Sequence, residues 1–100
     1  MYSSLLGGRN IVNVYDLRPM DGTRKSFYGK ASVYIDEFGN EFLISYNTLI
    51  MARFVDKKYG DNLVRYWDGW TATTGRHIKA FCGLNKKQFE NLPLLSSVDD

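Results

Sequence analysis

The feature that most constrains the fold is a turn of Phe-Gly-Asn at residues 38–40, with strand-like sequence on both sides. Before the turn, Ser26 to Asp36 alternates between an apolar and a more polar face. After it, Glu41 to Tyr46 is rich in residues that favour strands. Two such segments joined by a short turn that contains Gly and Asn predict an antiparallel β-hairpin.

Three further segments predict strands that extend this hairpin into a sheet. Asn10 to Leu17 is rich in β-branched and aromatic residues, and the nearby Pro19 favours an edge position. Asn47 to Lys57 is ambiguous between strand and helix, but its alternating apolar residues favour a strand. Leu63 to Trp67 is then its hairpin partner. Because consecutive strands are usually neighbours, the sequence predicts a five-stranded antiparallel meander.

A short helix is predicted after the strands, from about Gly75 to Cys82. Thr73 or Thr74 is the expected N-cap, because a threonine hydroxyl accepts a hydrogen bond from an unpaired backbone N–H of the first turn. Gly83 is a suitable residue to end the helix. A threonine-rich helix start beside a basic residue also suits a phosphate or carboxylate, but an ordinary cap has the same sequence.

A second short helix is predicted by a capping box, in which the side chains of Asn85 and Gln88 bond each other's backbone N–H groups. Leu84 and Phe89 have the spacing of a hydrophobic staple across the same helix start. Pro93 stops the helix within two turns.

Together these elements predict an α+β fold, in which the five-stranded antiparallel β-meander is followed by two short C-terminal α-helices. One hundred residues is the length of a single domain. We expect a flexible segment at residues 1–9, with Leu5 and Leu6 tucked against the body, one domain at 10–93 and a frayed tail at 94–100.

Composition limits the cellular setting. The only cysteine, Cys82, excludes an internal disulfide and suits a reducing compartment. No apolar run approaches the roughly 20 residues that cross a bilayer, and the first ten residues lack the features of a signal peptide. We therefore expect a cytoplasmic protein without a membrane partner. The formal charge of +2 is too small to hold a protein to nucleic acid mainly by charge.

Catalytic and metal sites are not predicted. His77 is the only histidine, and with Cys82 it supplies at most two ligands, so no metal or other cofactor is expected. Cys82 lies at the carboxyl end of the first predicted helix on its apolar stripe, where a thiolate is disfavoured and a free cysteine acts as a small hydrophobe. The sequence therefore predicts that the protein is not an enzyme.

A binding surface is predicted around the start of the first helix, where large aromatic residues lie close to basic ones. Such a surface suits single-stranded nucleic acid, because rings stack on bases, and it also suits a protein interface, where Trp, Tyr and Arg concentrate binding energy. The alternative is that the aromatic residues belong to the core. The candidate binding residues are Trp70, Thr74, Arg76, His77, Lys79, Lys86 and Lys87.

Three runs of residues carry a resemblance to a known family: Tyr28 to Ala31, Leu43 to Thr48, and Trp70 to Phe81, which reads WTATTGRHIKAF. Over about Phe27 to Leu92 the chain resembles a family of small uncharacterised proteins common in bacteriophages and other mobile elements. It departs from that family in its longer turn at residues 57–62 and in its extra first strand. The resemblance implies a phage setting and an α+β fold, and no activity, cofactor or catalytic residue.

Two functions are expected from these observations. The first is a phage-type accessory protein that binds a host or phage protein, for example to inhibit a bacterial defence nuclease such as a CRISPR effector. The alternative is a nucleic-acid-binding protein that uses the helix start and the basic and aromatic surface. The partner and the oligomeric state are left open by the sequence.

Overall fold

The computed structural model describes residues 6–18, 30–56 and 62–96. Its strands form one sheet in which every strand is antiparallel to the next along the chain, so the predicted meander is confirmed. The first strand lies at an edge, as expected, although Pro19 itself and residues 26–29 and 57–61 of the predicted elements lie outside the described residues. The strands are β1 (Ile11–Asp16), β2 (Ala31–Asp36), β3 (Glu41–Ser45), β4 (Thr48–Arg53) and β5 (Leu63–Arg65).

Both faces of the sheet are buried, because successive side chains of a strand point to opposite faces and both sets are apolar in the central strands. On β3, Leu43 faces the helices while Phe42 and Ile44 face the other side. The helix-side cluster consists of Leu17, Ala31, Val33, Leu43, Ile50, Met51, Ile78, Phe81, Phe89 and Leu92. The cluster on the other face consists of Leu6, Phe42, Ile44, Ala52 and Val64.

The first of the two predicted helices, α1 (Ala72–Cys82), starts earlier than expected. Its N-cap is Thr71, whose hydroxyl accepts a hydrogen bond from the backbone N–H of Thr74. The prediction that Thr73 or Thr74 caps the helix is wrong, because Thr74 turns inward and its hydroxyl contacts Ser45 instead. Gly83 ends the helix in a left-handed conformation, as predicted.

The second helix, α2 (Lys86–Glu90), has the predicted capping box. The Asn85 side chain accepts from the Gln88 backbone N–H at 2.8 Å, and the Gln88 side chain accepts from the Asn85 backbone N–H at 2.9 Å. Leu84 packs against the helix-side cluster that contains Phe89. These local contacts hold α2 even though it is only five residues long.

The segments that flank the domain also contribute to it. Leu6 is fully buried in the cluster opposite the helices, which agrees with the expectation that it is tucked against the body. The expectation of a frayed tail fails for its first residues, because Leu94 forms a parallel bridge with Arg65. The backbone N–H of Leu95 donates to the Arg65 carbonyl at 2.8 Å, and the Leu95 side chain packs on the same cluster as Leu6.

Candidate basic surface

Four of the predicted binding residues form an exposed basic surface on the two helices. Arg76 and Lys79 lie one turn apart on the outer face of α1, and Lys86 and Lys87 form the first turn of α2. None of the four forms a salt bridge with another residue in the parts of the chain that the structure describes. The sequence from residue 69 to residue 89 contains no Asp or Glu that could neutralise them. We call these four residues the basic surface.

Trp70, predicted to be part of the contact surface, is only half exposed. Its ring packs against the Phe89 ring with centroids 5.9 Å apart, and it also lies close to Gly75 of α1. Trp67 is half-buried as well, and both rings pack against the helix-side cluster. The two tryptophans therefore contribute mainly to the core, and Trp70 borders the basic surface with the part of its ring that remains accessible.

Thr74 and His77, also predicted as binding residues, lie inside the protein. The Ser45 hydroxyl is 2.8 Å from Nδ1 of His77 and 3.3 Å from the Thr74 hydroxyl. Only 1% of His77 and 2% of Ser45 are exposed to solvent. Direct contact of Thr74 or His77 with a partner is thus incompatible with the structure, because both side chains connect α1 to the end of β3.

The Ser45 and His77 pair has the composition of a nucleophile and its base, but its environment favours a structural role. Burial, and next to it the positive charge of Lys30, lower the pKa of His77 below its usual value. The imidazole is therefore neutral near pH 7 and accepts or donates a hydrogen bond as a fixed part of the core. Because both side chains are buried, a substrate has no direct access to them.

The turn between β3 and β4 lies one residue earlier than expected, since the sequence indicated a turn at Asn47 and Thr48 and placed Tyr46 inside the strand. Tyr46 and Asn47 have φ values of 50° and 65°, so both adopt the left-handed conformation. Tyr46 is 50% exposed, and its ring lies against His77 with centroids 5.7 Å apart. The signal in the sequence was Asn47, because asparagine tolerates this conformation better than most residues.

Cys82 has the core role that its position predicted. Its Sγ lies 3.7 Å from Sδ of Met51 and 3.4 Å from the carbonyl oxygen of Ile78. Burial raises the pKa of the thiol, which favours its protonated form. Within the described ranges, no three His, Cys, Asp or Glu residues are grouped to bind a metal, and no helix has the length and apolar character needed to cross a membrane.

Comparison with known proteins gives a family and no function. A family model described as a family of unknown function, DUF8033, matches residues 15–92 of the chain. This agrees with the resemblance to an uncharacterised family over residues 27–92. Neither the curated proteins nor the solved structures contain a match to the chain.

Proposed function

Because the chain belongs to the DUF8033 family, whose function is unknown, we propose that it is a non-enzymatic protein that binds an acidic surface of another protein. The observation that carries the proposal is the basic surface. Its four cations are exposed and unpaired among the described residues, whereas Arg53 and Arg65, which contact the helices from β4 and β5, have carboxylate partners. Cations left without partners on one side of a small domain favour association with a partner of opposite charge.

A protein partner is favoured over nucleic acid by two further observations. The formal charge of the whole chain is only +2, so attraction to a polyanion is weak away from this surface. Trp67 and Trp70, the rings that were expected to stack on bases, pack against the core. Single-stranded nucleic acid binds to ring faces that are open to bases, whereas protein interfaces concentrate binding energy in Trp, Tyr and Arg.

The biological setting of the proposal is that of a phage or mobile element in the host cytoplasm. The partner is then a host or phage protein, and inhibition of a bacterial defence nuclease such as a CRISPR effector is the specific function proposed. The mechanism is occlusion, in which the basic surface covers an acidic region of the nuclease. This setting is supported by the sequence resemblance, and the mechanism by the charge of the surface.

The test combines phage plating with copurification in bacteria that carry a CRISPR or restriction system. We expect expression of the wild-type protein to restore phage plating and to copurify the nuclease. The double variant Arg76→Gln/Lys79→Gln should lose both effects. A matched control is Val12→Glu/Val55→Glu, which lowers the formal charge by the same two units at residues that are 60% and 63% exposed.

The control should behave as wild type, because Val12 and Val55 lie near the turn between β2 and β3 and not on either helix. Recovery of no partner, together with full activity of every defence system tested, would refute the proposed function. Equal loss in both double variants would show that only net charge matters, which would also contradict a defined surface.

Nucleic-acid binding is the second candidate, and the four unpaired cations are the observation that favours it. Binding of an oligothymidylate and of a short DNA duplex should then weaken with salt. Loss of one phosphate contact in Arg76→Ala should reduce the slope of log affinity against log salt by about one. The absence of binding to either DNA at low salt would exclude this candidate.

A further inference from the structure

We propose that Tyr46 is the aromatic anchor of the interface and that, with Lys30, it extends the basic surface to bind an acidic segment of the partner protein. This inference rests on the proposed function and names the residue that gives it specificity. It is carried by three observations: the backbone conformation of Tyr46, the support beneath its ring, and the charge around it.

The backbone at Tyr46 is strained for a residue of its size. Tyr46 and Asn47 form the two-residue connection of the hairpin between β3 and β4, and both have positive φ. Glycine and asparagine adopt this conformation readily, whereas a bulky side chain does so at a cost. A strained residue that leaves half of its ring exposed points to a role for that ring outside the fold.

The Tyr46 ring packs on neighbouring side chains. His77 lies against it at a centroid distance of 5.7 Å and an interplanar angle of 34°, and the Ser45 hydroxyl holds the His77 ring in place. Nζ of Lys30 lies 5.8 Å from the centroid of the Tyr46 ring. A side chain held in this way loses little conformational freedom when it binds, which is the property of an interface anchor.

The charge around Tyr46 is positive. His77, which contacts the Tyr46 ring, belongs to α1, so Tyr46 packs on the helix that carries Arg76 and Lys79. The two strands that carry the turn contain no Asp or Glu from residue 42 to residue 53. A tyrosine hydroxyl donates to a carboxylate, and exposed ammonium and guanidinium groups attract several carboxylates at once.

These contacts favour an acidic protein segment over a nucleic acid. Base stacking requires an open face of the ring, and the contacts with His77 and Lys30 occupy part of the Tyr46 ring. Tyr46 is 50% exposed, and a tyrosine hydroxyl can donate a hydrogen bond to a carboxylate. The partner that fits is therefore a protein segment rich in Asp and Glu.

The experiment measures both affinity and stability. The probe is a fluorescein-labelled oligoglutamate peptide, and an oligothymidylate of equal charge is the comparison. Binding is followed by fluorescence anisotropy at low salt, and thermal unfolding by circular dichroism. The variants are Tyr46→Asn, which relieves the backbone strain, and Tyr46→Phe, which removes only the hydroxyl. Phe38→Asn is the matched control, because Phe38 is a 71% exposed aromatic residue in the hairpin turn at the opposite end of β3.

We expect Tyr46→Asn to weaken binding of the peptide by about tenfold, since anchors of this kind cost that much or more when removed. Its melting temperature should equal or exceed that of the wild type, because asparagine suits the left-handed conformation. Tyr46→Phe should weaken binding without changing the melting temperature. Phe38→Asn should leave affinity and melting temperature unchanged.

Three results would overturn the inference. A melting temperature of Tyr46→Asn that is lower by about 4 °C or more would show that the ring serves the fold. Tighter binding of the oligothymidylate than of the peptide would make nucleic acid the partner. If Tyr46→Asn retains full affinity while Arg76→Gln/Lys79→Gln loses it, Tyr46 is not the anchor, but the basic surface still binds the peptide. If that double variant also retains full affinity, the proposed function fails as well.

Discussion

Replacement of Gly75 by alanine should destabilise the protein, although the same change stabilises most helices. Gly75 is the fourth residue of α1 and is buried against the Trp70 ring. A Cβ atom at this position would lie 2.5 Å from Cζ2 of Trp70 and 2.9 Å from Cε2. These separations are too short for carbon atoms, so the ring or the helix must move.

The magnitude follows from two opposing terms. Alanine in a helix interior is favoured over glycine by about 1 kcal/mol. Overpacking of a buried site costs about 1–3 kcal/mol, and the upper half of that range applies where a rigid ring faces the new atom. Because the Trp70 ring also packs against Phe89, it cannot move away from the new Cβ atom without disturbing the core. We expect a net loss of about 1–2 kcal/mol in the free energy of unfolding.

The assay is urea and thermal unfolding, followed by far-UV circular dichroism and tryptophan fluorescence. For a domain of this length, each kcal/mol lowers the melting temperature by about 4–8 °C. Gly8→Ala is the control, because a Cβ at Gly8 meets no atom within 4 Å. In a Trp70→Leu background the steric conflict disappears, so Gly75→Ala should there become neutral or stabilising.

The reasoning is refuted if Gly75→Ala is as stable as the wild type, or more so, in the otherwise unchanged protein. It is also refuted if the loss is the same in the Trp70→Leu background. The first result would show that α1 shifts at little cost, and the second would show that the conflict lies with an atom other than the ring.

Three further predictions concern buried groups. Asp36→Asn should lower the free energy of unfolding by about 3 kcal/mol, because Asp36 accepts hydrogen bonds from Phe38, Asn40 and Arg9 and a buried ion pair is costly to break. An unchanged midpoint in urea titrations would contradict this. The pKa of His77 is lowered by burial and then by Lys30, so its contribution to stability should be complete above pH 6.5 and decrease as the pH falls below that value; His77→Gln should reduce this pH dependence. Burial raises the pKa of Cys82, so iodoacetamide should label it slowly in the folded protein and rapidly in urea, as mass spectrometry would show.

The elements that sequence reasoning predicted well are those determined by nearby residues. The hairpin around residues 38–40 and the capping box of Asn85 and Gln88 depend on contacts within a few positions of the chain. The carboxylate of Asp36, which bonds two backbone N–H groups of that hairpin turn, is also local, but its burial was not foreseen. From sequence alone, an aspartate at a turn is expected to be exposed. In the structure Asp36 is buried and forms an ion pair with Arg9, which is distant in sequence.

The errors arise where a tertiary contact decides between similar residues. Three threonines near the start of α1 are all suitable caps, and the choice of Thr71 follows from the bond between Thr74 and Ser45, which are far apart in sequence. The contacts of Ser45 with Thr74 and with His77 explain why these two predicted binding residues are buried. Arg76, Lys79, Lys86 and Lys87 are exposed, and none of them has a carboxylate partner among the described residues.

The order of the strands has a consequence for the rate at which the protein folds. Each strand pairs only with its neighbours in sequence, so no strand waits for a distant one, and the central hairpins β2–β3 and β3–β4 close short loops. Contacts between residues distant in sequence include those of Leu6 and Leu95 on the sheet face opposite the helices, and that of Leu94 with β5. We therefore expect the meander to form early and these flanking segments to dock last, completing a face that is only partly covered until they arrive.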